Sequence, residues 1–234
     1  GAVWRYLDTG VDLGTSWRTG DFSDASWKSG AAQLGYGDGD EVTVLSFGLD
    51  SGNKYLTTYL RTRFNVTSAA SVQSLNLSLM RDDGVVIYLN GIEVLRNNMP
   101  ETDIGFQTPA NSAIGGTDET TFIDNPIDVG AMREGENVLA VELHQSGGGS
   151  SDLSFDLALT AKRLPTNTGP STAAGADRTA NVGEPIQLTA TFTDDGLPSP
   201  PGVPTFTWNK VSGPGTATFA AANSPQTAVT FDTA

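Results

Sequence analysis

Cysteine is absent from the 234 residues. That rules out a disulfide framework, a thiolate zinc site and a cysteine nucleophile, so packing and hydrogen bonding must hold the fold. Histidine occurs once, at His144, too few for a metal centre built on imidazoles. Positive charge is scarce: 13 Lys and Arg stand against 27 Asp and Glu, a formal net charge of −14. A surface of that sign repels phosphate backbones and anionic lipids, which argues against nucleic acid or a membrane as partner. No apolar run approaches the ~20 residues that a spanning helix takes. No window carries a sustained helical period of apolar residues either.

What the chain has is short strand signals separated by turns. Leu75, Leu77 and Leu79 alternate with polar residues, and Val85, Ile87 and Leu89 repeat that period of two. Asn90-Gly91 follows, the strongest short hairpin signal because both residues tolerate positive φ. The stretch 75–94 therefore reads as an antiparallel meander, with Asp82-Asp83 as an Asx-type turn before Gly84. Further strands are expected at 3–6, 42–47, 58–66, 92–96, 120–127, 137–144 and 154–159, with at most one helical turn near 128–135. Nine short strands in this arrangement predict an all-β, two-sheet sandwich over residues 1–163. Residues 164–172 are uncharged and rich in Pro, Gly, Ser and Thr, a linker composition. Residues 173–234 carry further strands near 185–192, 205–208, 216–219 and 227–231, with Trp208 placed as the central tryptophan of an immunoglobulin-like sandwich. About 60 residues fall short of the ~100 such a fold takes, so this part is expected to be truncated.

The ordered set Trp4-Arg-Tyr6, Phe22 to Trp27, Ala32 to Gly39, Tyr59 to Phe64, Asp82 to Gly91 and Asn137 to Val141 resembles the galactose-binding-like jelly rolls attached to secreted bacterial enzymes. Ala174 to Arg178, Asp194 to Gly202 and Phe206 to Gly215 resemble part of a polycystic-kidney-disease-type, immunoglobulin-like repeat. The resemblance implies a secreted or cell-surface, non-catalytic accessory module, with a polysaccharide and a catalytic domain of the same parent chain as partners. It also implies one structural calcium between an N-terminal loop and the final strand, with Asp8, Asp12 and Asp156 as the nominated ligands. As turn formers those residues have an equal claim.

Sugar recognition needs flat aromatic platforms and planar polar groups. Trp17, Tyr36 and Tyr55 lie in or beside loops and are nominated as platforms, whereas Trp27 reads as a core plug capping the sandwich. Arg61 and Arg63 share one face of their strand and suit an anionic sugar through bidentate contacts, or pair with the surplus carboxylates. Glu142 and His144 share the face opposite Leu139, Val141 and Leu143, which points them at ligand or solvent. A Ser-His triad has no Gly-x-Ser-x-Gly elbow to serve it. Two functions remain from this reading: polysaccharide binding, or a structural spacer or surface-assembly element with no small ligand.

Overall fold

The computed structural model describes residues 1–199 and 202–233. The chain divides into two units, Gly1–Leu164 and Pro165–Ala234.

The first unit is a β-sandwich. Its strands are β1 (Val3–Leu7), β2 (Lys28–Ala31), β3 (Leu34–Tyr36), β4 (Thr43–Val44), β5 (Thr57–Val66), β6 (Val72–Asp82), β7 (Gly84–Leu89), β8 (Ile92–Asn97), β9 (Ile123–Ile127), β10 (Gly135–His144) and β11 (Leu153–Arg163). One sheet runs β2-β1-β5-β10-β7-β8 and the other β4-β3-β11-β6-β9. Every pairing is antiparallel except β3 with β4. The alternating residues meet between the sheets as the period of two requires. Leu139, Val141 and Leu143 of β10 lie opposite Leu89, Ile87 and Val85 of β7, and Leu157 of β11 lies opposite Leu79 of β6. All are buried. Trp4 and Phe155 join the two layers edge to face, 5.2 Å between ring centroids.

The expected meander is half right. Asn90 (φ 54°) and Gly91 (φ 86°) make the β7–β8 hairpin, since both hold the positive φ that this turn demands. Asp82-Asp83 does not make one. β6 and β7 belong to different sheets, so this dipeptide carries the chain across the sandwich edge. Asp83 does not close a local turn; its oxygens accept from the distant amides of Ile114 and Ser146, each at 2.7 Å.

A second apolar layer covers the outer face of the six-stranded sheet. Tyr59, Val86, Tyr88 and Ala140 lie beneath Trp17, Trp27, Met99 and Ala110, with Leu13, Phe22, Ile104 and Phe106 around them. The two loops that supply this cover fit closely. A Cβ on Gly84 would lie 2.5 Å from Met99 Sδ and 2.8 Å from Ala110 Cβ, so the bare backbone there lets the 98–111 segment settle on the sheet. β7 is in consequence buried at every position.

The turn expected near 128–135 is a short 3₁₀ segment, Val129–Ala131, whose preceding Asp128 accepts from the Gly130 amide. In the second unit, β12 (Ser171–Ala173) pairs with β14 (Thr191–Thr193), and β16 (Gln226–Phe231) lies between β13 (Ile186–Thr189) and β15 (Ala217–Phe219). Residues 205–208, expected as a strand, form none. Trp208 is half-buried rather than central, and its Nε1 donates to the Ser224 carbonyl at 2.8 Å. Of the stretch 194–202, positions 200 and 201 lie outside the described residues.

Candidate functional site

The sequence-nominated residues fall into three places. On the outer face of the six-stranded sheet, Trp17 is a core residue and not a platform. It is fully buried, tilted against Tyr59 at 4.7 Å and edge-on to Tyr88 at 6.0 Å, and its Nε1 donates to the Gly14 carbonyl. Trp27 is buried, as a core plug should be. Tyr55 is half-buried and packs against Gly10 and Gly48.

Glu142 and His144 share a face as the alternation demands, but the covering loops seal both from solvent. Glu142 accepts from the Tyr88 hydroxyl at 2.6 Å and from Arg18 at 3.1 Å. Arg18 stacks over the Tyr88 ring, 4.3 Å from its centroid. Burial first, and then the Glu142 charge, raise the Tyr88 phenol, which keeps it a donor. His144 Nδ1 lies 2.8 Å from the Thr108 carbonyl and 3.1 Å from the Thr57 hydroxyl, whose own proton goes to the Phe106 carbonyl. Nδ1 therefore carries the hydrogen. Nε2 faces Glu142 Oε2 at 3.6 Å and makes no hydrogen bond. These side chains form a polar seam under the loops, out of reach of a polymer in solvent.

Beside that layer, Arg61 and Arg63 open on one groove of about 380 Å³ with Val3, Arg5, Asp24, Ser29 and Thr62. The two arginines differ in kind. Arg61 is fully buried, paired with Asp24 at 2.8 Å and donating to the carbonyls of Trp17 and Phe22. Arg63 is a third exposed, paired with the exposed Glu136 at 2.6 Å and donating to the carbonyls of Gly20 and Phe22. Arg5, which the sequence reading missed, is exposed and lies opposite Arg61 across β1 and β5. The signal was present: Arg5 alternates with the core residues Trp4 and Tyr6 and so shares the outer face.

The nominated calcium ligands are not brought together: among the described residues, Asp8, Asp12 and Asp156 are in neither set of three acidic side chains whose oxygens lie within 4.8 Å of one another. Asp8 is buried; its Oδ2 accepts from Lys28 Nζ at 3.0 Å and from the Ser46 amide at 2.7 Å, while Oδ1 makes no hydrogen bond and lies 2.9 Å from the same Nζ. Asp12 accepts from the amide of Gly14, and Asp156 from that of Leu157. Asp12 and Asp156 thus hold the local turn and backbone roles that the composition also allowed, whereas Asp8 ties distant segments together.

The third place is an end of the sandwich. Asp38, Glu119 and Asp152, from three separate loops, bring one carboxylate oxygen each within 4.8 Å of one another. Tyr36, at the end of β3, is buried beside them, with its hydroxyl accepting from Gln145 Nε2 at 2.6 Å. Burial pushes that phenol up to about 12, so Tyr36 serves here as a neutral polar group rather than a sugar platform. In the second unit, a cleft of about 630 Å³ is lined by Ile186, Leu188, Trp208, Phe219 and Val229 together with Asp177, Arg178 and Lys210.

No protein-family model and no curated protein matches the sequence. Among solved structures, the chain is similar to a β-glycosidase from Bacteroides vulgatus, at 12% identity over 83% of this chain and 24% of that one, with a TM-score of 0.38. It is similar to a glycosyl hydrolase family 2 member from Bacteroides cellulosilyticus, at 12% identity over 80% of this chain and 23% of that one, TM-score 0.44. It is also similar to a β-glucuronidase from Lactobacillus rhamnosus, at 15% identity over 100% of this chain and 38% of that one, TM-score 0.38. The chain thus spans between 23% and 38% of these proteins' lengths. With identities and TM-scores this low, the β-sandwich assignment rests on the two sheets themselves.

Proposed function

We propose that the first unit is a non-catalytic, galactose-binding-like jelly-roll module that binds an anionic polysaccharide along the outer face of β1 and β5. On this reading the second unit is an immunoglobulin-like spacer, and the module serves a catalytic domain of a larger secreted protein by raising its local concentration on substrate. The observation that carries the reading is the groove: Arg5 and Arg63 line it, over the buried Arg61–Asp24 pair, in a chain whose net charge is −14. Arginine is the side chain whose planar fork matches a carboxylate or sulfate through paired hydrogen bonds. Ser29 and Thr62 add hydroxyls for the uncharged parts of a sugar.

Magnitudes divide the labour among the three. The exposed pair Arg63–Glu136 is worth about 0–1 kcal/mol, so an anionic ligand can take Arg63 from it. Arg61 holds the floor of the groove and is committed to Asp24. Arg5 and Arg63 are the contact residues.

Affinity electrophoresis of the whole chain through neutral, uronate-containing and sulfated glycans tests this. Retardation is expected on an anionic glycan, weakening with salt. Replacing Arg5 and Arg63 together with alanine should reduce the affinity at least about tenfold, since each charged hydrogen bond lost is worth about 1.5–3 kcal/mol. Migration unaffected by every glycan, in a chain with native circular dichroism, would refute the proposal and leave the spacer reading. Retardation that survives the double substitution would place the site elsewhere.

A further inference from the structure

We propose that Asp38, Asp82, Glu119 and Asp152 form a binding site for one hard divalent cation of the calcium class, at the sandwich end where β6 crosses to β7. This site is separate from the arginine groove and from Asp8, Asp12 and Asp156.

Three exposed or half-buried carboxylates close together are a common surface feature and by themselves indicate nothing. The decisive residue is the fourth. Asp82 is 1% exposed, and neither Oδ1 nor Oδ2 meets a hydrogen-bond donor. A buried carboxylate without a partner loses its hydration with no return, a cost of several kcal/mol. The Asp82 side chain leaves the sheet on the face that carries Asp38, beside the three carboxylates whose oxygens lie within 4.8 Å of one another. Asp82 lies directly opposite Ser154 across β6 and β11, and the Ser154 hydroxyl donates to Asp38 Oδ2 at 2.9 Å. Asp82 also feels the charges of Asp152 and Glu119.

The neighbouring cations leave it unsatisfied. Arg81, the next residue along β6, sends Nε to Asn97 at 2.7 Å, and its buried Nη1 finds no partner. It makes no ion pair with Asp82 among the described residues. Asp83 is held by the Ile114 and Ser146 amides. A second orphan lies nearby: Gln145, which donates to Tyr36 and to the Asp152 carbonyl, has a buried Oε1 with no donor.

The electrostatics agree with this geometry. Burial, then a hydrogen bond and the charge of Asp83, push Asp82 up to about 9, and Asp38 and Glu119 are also raised, by burial first and by their acidic neighbours. Burial opposes ionisation of Asp83 too, but the hydrogen bonds it accepts outweigh that and hold it below the usual carboxylate range. A proton shared by Asp82 and Asp83 is one way to satisfy the pair; a cation is the other. The donor set is all oxygen, carboxylates with the Gln145 amide oxygen nearby, which suits calcium and not a metal that prefers nitrogen or sulfur.

Titration of calcium chloride into the whole, chelator-treated chain, followed by calorimetry and by thermal melting, decides between them. We expect one saturable calcium event, a higher melting temperature in calcium than in chelator, and weaker binding of magnesium. Asp82→Asn should weaken calcium at least about tenfold. Asp152→Asn, on a loop where folding is not at stake, should do the same, while Asp12→Asn leaves it unchanged. Absence of any heat or melting shift with calcium would overturn the site in favour of the shared proton. So would calcium binding that survives both Asp82→Asn and Asp152→Asn. Glycan retardation unchanged between calcium and chelator leaves the groove proposal standing whichever way this experiment falls.

Discussion

Replacing Trp17 with alanine separates the two roles that a loop tryptophan can have. A tryptophan on a binding surface can be truncated with a change in stability within about 0.5 kcal/mol. Trp17 instead closes the second apolar layer. A side chain of this size buries on the order of 200 Å², about 5 kcal/mol of transfer at ~25 cal/mol per Å². That figure is an upper bound, because the unfolded chain already buries part of the surface. Measured truncations of buried aromatics cluster at about 3–5 kcal/mol, cavity included. The lost hydrogen bond to the Gly14 carbonyl adds about 1 kcal/mol at most, since that carbonyl sits in an exposed loop where water replaces the indole. The expected loss is therefore about 4 kcal/mol, a large fraction of the stability of a domain this size. In urea unfolding followed by far-ultraviolet circular dichroism, with a slope of about 2 kcal/mol/M, the midpoint should fall by about 2 M. Trp17→Phe keeps a ring against Tyr59 and Tyr88 and should lose less than half as much. A midpoint shift below about 0.3 M for Trp17→Ala, with unchanged slope, would refute the buried assignment and return Trp17 to the surface.

Three further substitutions test the polar framework. Arg61→Ala strips a buried pair and strands Asp24 with two carbonyls, costing about 3 kcal/mol or more, whereas Arg63→Ala should cost at most about 1 kcal/mol. Thermal melts should show a drop of about 6–12 °C for the first and at most about 4 °C for the second, and equal drops would contradict the difference in burial. Asn137, fully buried, donates to the Arg133 and Gly135 carbonyls and accepts from Asn90 and the Arg133 amide, so it ties the Asn90-Gly91 hairpin to the start of β10. Asn137→Ala should destabilise by at least about 2 kcal/mol, read as a urea midpoint, and a wild-type midpoint would show that water takes over those bonds.

Strand identity was legible locally because a period of two needs only a few residues to declare itself. The β5, β6, β7, β10 and β11 strands, the Asn90-Gly91 hairpin and the inward set from Leu75 to Leu157 follow from alternation and turn chemistry alone. The short β2 and β3 were not legible, since Lys28-Ser-Gly-Ala31 and Leu34-Gly-Tyr36 owe their extended form to neighbours supplied by β1 and β11. One clue to the second apolar layer was present and outweighed by the alternation. Val85-Val86-Ile87-Tyr88-Leu89 is an unbroken apolar run, the mark of a strand covered on both sides, and attention to Val85, Ile87 and Leu89 alone left Val86 and Tyr88 unexplained.

By itself, then, the sequence determined the all-β class, the parity of each long strand and the acidic character of the chain, all of which depend on residues close together along the backbone. Only the tertiary structure decided which outward faces stay outward. Two long loops fold over the six-stranded sheet, turning Trp17, Glu142 and His144 from surface candidates into core, and leaving Arg5 and Arg63 at the rim of a groove. It also decided which carboxylates meet: Asp12 and Asp156 accept from nearby backbone amides and Asp8 from Lys28 and Ser46, while Asp38, Glu119 and Asp152 converge from three distant stretches with the buried Asp82 on the same side of the sheet. The physical reason is the same in both cases. Burial and charge coupling depend on distance through space, and in a sandwich whose neighbouring strands come from remote parts of the chain, spacing along the sequence does not report it.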